Sequence, residues 1–166
     1  MAQPPYLVAQ KMVATFMKGC APLPPLSHRM RLWEMVFWGC ILLIIFLSSF
    51  PWLVEPPHWG RVRWIPFLDV LRSPRWMLRD TITNFFLYLP LGFSYARLRR
   101  SAVTKTIFEA ALVGLFLSMS CEFYQVFSPV RFPTMTDVSM NTLGALAGAL
   151  LATHFTSSQA HSPNQR

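Results

Sequence analysis

The chain is short of acids. Seven Asp and Glu residues stand against fifteen Lys and Arg in 166 residues, and only 13% of the chain is charged. Ordinary soluble domains are about 25% charged, so the ionic groups are too few to coat a water-facing globule of this length. Cysteine is scarce as well. Cys20, Cys40 and Cys121 show neither metal-ligand spacing nor the even count of a disulfide framework, and they read as apolar fillers. Also missing are the G-x-S-x-G and H-E-x-x-H motifs, a glycine loop that cradles phosphate, and any Cys/His pair in a recognisable context. No familiar catalytic signature therefore directs the reading.

What fills the chain is apolar. Hydrophobic residues make up 53% of it, which excludes disorder. The net charge of +8 raises the question of nucleic acid, but a phosphate binder needs a soluble basic face, and here long apolar runs separate the bases. Composition thus points to a membrane and to no nucleic acid. The length suits one domain of about 100–200 residues. The expected fold is all-α, a polytopic membrane protein with a bundle of four transmembrane helices and a long interfacial first outer loop.

The spans are expected near 32–54, 80–96, 106–126 and 137–155, against the roughly 20 apolar residues that a spanning helix requires. Pro90-Leu91-Gly92 inside the second reads as a kink tolerated in a bundle. Residues 1–31 are basic and Pro-spotted, and are expected to be irregular. Lys11, Lys18 and several prolines precede the first long apolar run, which argues against a cleaved signal peptide. The loop 55–79 opens on Pro56-Pro57. It continues into a piece with Trp64, Phe67, Trp76, Arg72, Arg75 and Arg79 that is similar to an interfacial amphipathic segment. Trp52, Trp59, Trp64 and Trp76 read as an interfacial belt, and residues 156–166 as a polar tail.

Cytoplasmic loops carry an excess of Lys and Arg. The second loop contributes Arg97, Arg99, Arg100 and Lys105 without an acid, and Lys11, Lys18, Arg29 and Arg31 precede the first span. Both termini and the second loop are therefore expected in the cytoplasm, with the first and third loops sharing the outer face. Five arginines of the first loop (Arg61, Arg63, Arg72, Arg75 and Arg79) oppose that assignment.

A short repeat marks the outer end. Asp80-Thr81-Ile82-Thr83-Asn84 and Asp137-Val138-Ser139-Met140-Asn141 both read D-x-x-x-N at the expected start of a span, in parallel copies separated by two spans. Spacing of four puts Asp80 with Asn84, and Asp137 with Asn141, on one helix face. That face continues through Gly144 and Gly148, a G-x-x-x-G pair that admits close backbone approach. The third span has a matching stripe of Ala111, Gly114, Ser118, Glu122 and Gln125. Gly114, Ser118, Gly144 and Gly148 are the expected packing positions. The topology gathers Asp80, Asn84, Glu122, Gln125, Arg131, Asp137 and Asn141 at one level as candidate binding residues.

At these residues the chain resembles the VanZ-like family of bacterial membrane proteins. The resemblance is carried by the run from Asp80 to Phe93, by Glu122-Phe123-Tyr124-Gln125, and by Arg131 through Asp137 to Asn141-Thr142-Leu143-Gly144-Ala145. It covers about residues 67–153. It implies a multi-pass protein of the bacterial plasma (inner) membrane with a role in the cell envelope. The family's namesake is associated with low-level resistance to teicoplanin, a lipoglycopeptide, so antibiotic tolerance is an implied role to test.

Each candidate also has a bland role. Asp80 and Asp137 sit where a helix cap belongs, and Asn84 and Asn141, a turn deeper, suit hydrogen bonds between helices. Glu122 lies toward the C-terminal end of its span, where the helix dipole disfavours an anion. Its bland partner is Arg131, in an ion pair. Glu34 and Glu109 fall near cytoplasmic helix starts and are set aside, and His58 is an incidental loop histidine. The functional reading is an outward-facing polar pocket for membrane lipids or a lipid-linked envelope precursor, with the Arg131 fork on phosphate or carboxylate. One alternative is a membrane enzyme on a lipid or polyprenyl-linked glycan, with Glu122 and Asp137 as acid and base. Others are a structural accessory subunit and a small transporter acting as a homo-oligomer. No cofactor is expected, the alternative being a divalent cation held by Asp80, Glu122 and Asp137.

Overall fold

The computed structural model describes residues 28–68, 71, 74–99 and 101–160. Most of the basic N-terminal segment and the end of the polar tail lie outside them, as do Arg72 and the side chains of Arg75 and Trp76 from the expected interfacial piece. Four long helices follow one another: α1 His28–Ser49, α2 Pro74–Leu98, α3 Val103–Gln125 and α4 Met135–Ala160. One 3-10 turn, Trp59–Arg61, stands in the first loop, and the described residues contain no strand, only an isolated bridge. Three helices are long and apolar enough to cross a membrane: α1, α3 and α4. At 25 residues α2 is as long as the others. Asp80, Asn84, three hydroxyl residues and two tyrosines between positions 80 and 95 dilute its apolar content.

Helix limits differ from the expected ones for physical reasons. α1 begins at His28, so residues 28–31 are helical rather than irregular. It stops at Ser49 because the residue before a proline is pushed out of the α region, and Pro51 follows Phe50. Apolar residues 50–54 therefore join the loop. α2 begins at Pro74, six residues before Asp80. Proline suits a first helical position, where its missing N–H is no loss. The charges at Arg75, Arg79 and Asp80 mark a change of polarity, and helical bonding runs through it. α4 continues to Ala160, into the expected tail.

α2 packs on all three other helices, most extensively on α4. Glycine makes that contact close. A Cβ on Gly144 would strike the backbone of Phe85, one on Gly148 the backbone of Leu89 and Phe93, and one on Gly92 the backbone of Ala145. Gly114 of α3 likewise faces Ala145. The core is thin: Ile44, Tyr88, Leu91, Cys121 and Ala145 form one buried cluster, and Tyr95, Ala110 and Ala149 another. Outside it the apolar stretch of α1 is only 6% buried, with Met35, Trp38, Leu42 and Phe46 on the surface. Water does not tolerate so large an apolar face, and lipid does.

The end of the bundle that carries the α2–α3 loop is closed by a polar network. Tyr95 donates to Glu109 at 3.0 Å, Arg99 donates to the Tyr95 oxygen at 2.9 Å, and Arg99 and Lys105 pair with Glu109 at 3.5 and 3.9 Å. Glu109 lies six residues into α3. These partners, rather than a helix start, account for it.

Candidate functional site

At the opposite end α1 and α3 finish while α2 and α4 begin. The first and third loops are stitched together there by backbone hydrogen bonds. Glu55 and His58 donate to the carbonyls of Phe127 and Val126 at 2.8 and 2.9 Å, and Arg63 donates to Pro133 at 2.9 Å. Met135 returns a bond to the Arg63 carbonyl at 3.0 Å, the Phe67 N–H donates to Thr136 Oγ1 at 2.8 Å, and the Arg61 guanidinium donates to the Pro129 carbonyl at 2.9 Å. The two loops form one cover, with Trp52, Trp59 and Trp64 exposed on its outside.

Beneath the cover lies a cavity of about 480 Å³. All four helices contribute to its wall: Leu47 and Ser48 from α1, Asp80 and Asn84 from α2, Glu122 and Gln125 from α3, Asp137 and Asn141 from α4. The loops add Arg63, Phe132, Thr134 and Arg131. The structure thus brings all seven candidate binding residues around one space. Glu122, Gln125 and Asn141 are buried and form the floor, whereas Asp80 and Arg131 are exposed at the rim.

Asp80 is not a cap. It stands nearly two turns inside α2, so its D-x-x-x-N copy and that of Asp137 occupy different depths in their helices. Thr134 starts α4, accepting the Asp137 N–H on Oγ1 at 3.0 Å. In an ordinary capping box the side chain three residues on would bond back to the cap's own N–H. Here Glu122 of α3 takes that place, accepting the Thr134 N–H at 2.8 Å. The positive end of the α4 dipole therefore faces Glu122 and opposes the unfavourable end of its own helix. The Asp137 carboxylate lies against the Asn84 amide and the Thr134 hydroxyl.

Glu122 and Arg131 do not form an ion pair. The Arg131 guanidinium donates instead to the carbonyls of Phe50 and Leu47 at 3.3 and 3.2 Å, satisfying acceptors left over at the end of α1. Gln125 donates to the Ser48 carbonyl at 3.2 Å, and Asn141 donates to Ser118 Oγ at 2.8 Å. Ser118, expected only to pack, is thus a polar partner of the floor. Among the described residues no three His, Cys, Asp or Glu side chains are grouped so as to hold a metal ion.

Sequence reasoning missed Thr134, Arg63 and Gly92. The first had a readable signal, since Thr three residues before an Asp at the start of an apolar run is a helix-start pattern. Gly92 was absorbed into the proline kink, while Arg63 lines the cavity only because two loops distant in sequence meet.

The VanZ/LLP1 family model matches residues 33–156, which takes in α2, α3, most of α1 and α4, and every cavity residue. No curated protein and no solved structure matches the chain.

Proposed function

Because the chain belongs to the VanZ/LLP1 family, we propose that its cavity is an outward-facing site that recognises an anionic or lipid-linked component of the cell envelope. One observation carries the reading: a chain with only seven acids and long apolar helices places three of those acids, with Asn84, Gln125, Arg131 and Asn141, around one small space. Small-ligand sites occupy about 300–1,000 Å³ and place a few convergent polar groups in apolar walls. Leu47, Leu87, Val130 and Phe132 supply the apolar wall, and Arg131 presents a planar fork suited to phosphate or carboxylate. The basic second loop orients this end away from the cytoplasm of the bacterial plasma membrane, with both termini inside and α2 as a fourth span. Tolerance of teicoplanin-type glycopeptides is the corresponding cellular role. The Gln125 and Arg131 bonds to backbone carbonyls favour a second reading, an accessory subunit in which the cluster serves assembly alone.

Native mass spectrometry of the purified chain separates the two. Envelope lipids or glycolipids retained by the wild type and lost from folded Arg131→Gln and Asp137→Asn variants support recognition. Equal retention by both variants leaves the assembly role.

A further inference from the structure

We infer that the cavity opens sideways into the bilayer leaflet at its end of the bundle, through a mouth between α1 and α2, and takes up a molecule whose acyl chain stays in the lipid. The inference rests on the cavity being a recognition site, and it names the route and the ligand class: a membrane lipid, not a water-soluble anion. It starts from which parts of the wall are exposed. Glu122, Gln125 and Asn141, from α3 and α4, are buried, and so is Thr134. The exposed wall residues are Leu47 of α1, Asp80 and Thr83 of α2, and Val130, Arg131 and Phe132 of the third loop. The opening therefore lies on the α1 and α2 side, beneath that loop.

The chemistry of the mouth suits lipid. Asp80 and Arg131 form its polar edge. From Asp80 to Leu87 the wall follows α2 toward the middle of the membrane, a distance of roughly 10 Å at 1.5 Å per residue. At that deeper level Leu47 is 44% exposed, and Thr83 has spent its hydroxyl on the Arg79 carbonyl at 2.8 Å, which leaves its methyl to face outward. One turn further on the same faces, Leu43 and Phe86 are exposed and apolar. The cover above the mouth continues this surface. Trp52 packs edge-on against Phe46 and Phe50, with ring centroids 5.0 and 5.7 Å apart. It carries the lipid-facing side of α1 into the loop, where Leu53, Val54, Trp64 and Ile65 are exposed. Exposed apolar patches mark contact with lipid or a partner, and continuity with the membrane face of α1 selects lipid. A surface that mixes aromatics with arginine rests at the boundary of headgroups and acyl chains, so the mouth beneath it opens below the water.

Nitroxide accessibility of the full-length chain in vesicles of phosphatidylethanolamine and phosphatidylglycerol tests the mouth. A ketone-linked label on p-acetylphenylalanine is placed singly at Leu47, Thr83, Gly39 and Ser101, leaving the native cysteines untouched. Its collisions with oxygen and with a water-soluble nickel chelate are read by electron paramagnetic resonance. Gly39, with open space around its Cβ position, is the lipid reference, and exposed Ser101 the water reference. The oxygen-to-nickel ratio at Leu47 and Thr83 should match that at Gly39 and exceed that at Ser101 about tenfold, an exclusion of the chelate by about 1.4 kcal/mol. A ratio matching Ser101 overturns the inference, and the recognition reading then stands with a ligand that arrives from water. Uptake is read by native mass spectrometry, with phosphatidylglycerol set against its deacylated headgroup, glycerophosphoglycerol. The lipid should be retained by the wild type and by Ile82→Trp on the neighbouring lipid face, and lost from Thr83→Trp, which fills the mouth. Retention of the free headgroup as strongly as the lipid overturns the lateral route, and retention of neither removes the recognition reading with it. Should Thr83→Trp fail to fold, the nitroxide ratios and the comparison of lipid with headgroup decide.

Discussion

Glu122 performs a structural task that two substitutions separate from its charge. Its carboxylate accepts the Thr134 N–H at 2.8 Å, and both residues are buried. Glu122→Gln keeps an oxygen that accepts this bond, whereas Glu122→Leu leaves the N–H unpaired. An unpaired buried donor costs about 1–3 kcal/mol, so Glu122→Leu is expected to be less stable than Glu122→Gln by that amount. For chains of this length each kcal/mol shifts Tm by roughly 2–4 °C. The two variants should therefore melt roughly 2–12 °C apart when far-UV circular dichroism is followed in detergent micelles. Amide exchange gives a local check: the Thr134 N–H should remain protected in Glu122→Gln and exchange freely in Glu122→Leu. Equal melting together with equal exchange would refute the cross-helix cap. Once the cap is established, a ligand defect in Glu122→Gln belongs to the lost carboxyl group and not to a disordered start of α4.

Three further expectations concern packing, the end of α1 and orientation. Gly148→Leu drives a side chain into the backbone of Leu89 and Phe93, and overpacking of this kind costs about 1–3 kcal/mol. Thermal unfolding should show the loss, and a stable Gly148→Leu variant would disprove the close α2–α4 contact. Gly39→Leu is the control, since nothing lies within 4 Å of a Cβ there. Arg131→Gln releases the Leu47 and Phe50 carbonyls, so hydrogen exchange should rise over the last turn of α1; unchanged exchange would mean that the arginine does not hold that turn. Cysteines introduced at Ser101 and Val130 should be labelled by a membrane-impermeant thiol reagent at Val130 alone in intact cells. Labelling at Ser101 would invert the orientation.

Much of the site was legible because helical geometry turns spacing into position. Asp137 with Asn141, and Glu122 with Gln125 and Ser118, share faces once their segments are helices, and four alternating helices bring those faces to one end. The roles were less legible than the places. Arg131 lies nine residues from Glu122 in sequence, which suggested an ion pair; the carbonyls it serves lie in the last turn of α1 and just beyond it, more than eighty residues away. Helix starts also misled where polarity and hydrogen bonding part company, as at Pro74 and Asp80. The cover over the cavity was least legible of all, because its backbone bonds depend on no side-chain pattern.

The cavity wall is divided between two halves of the chain. α1 and α2 provide Leu47, Ser48, Asp80 and Asn84, α3 and α4 provide Glu122, Gln125, Asp137 and Asn141, and the connection near position 101 provides nothing. Neither half holds a complete site. Anything bound there touches both and behaves as a clasp, strengthening their association by RT ln(1 + [L]/Kd). Occupancy would thus be recorded in the cohesion of the whole bundle. If the chain were severed between Leu98 and Val103, the ligand itself would help the two fragments to find each other.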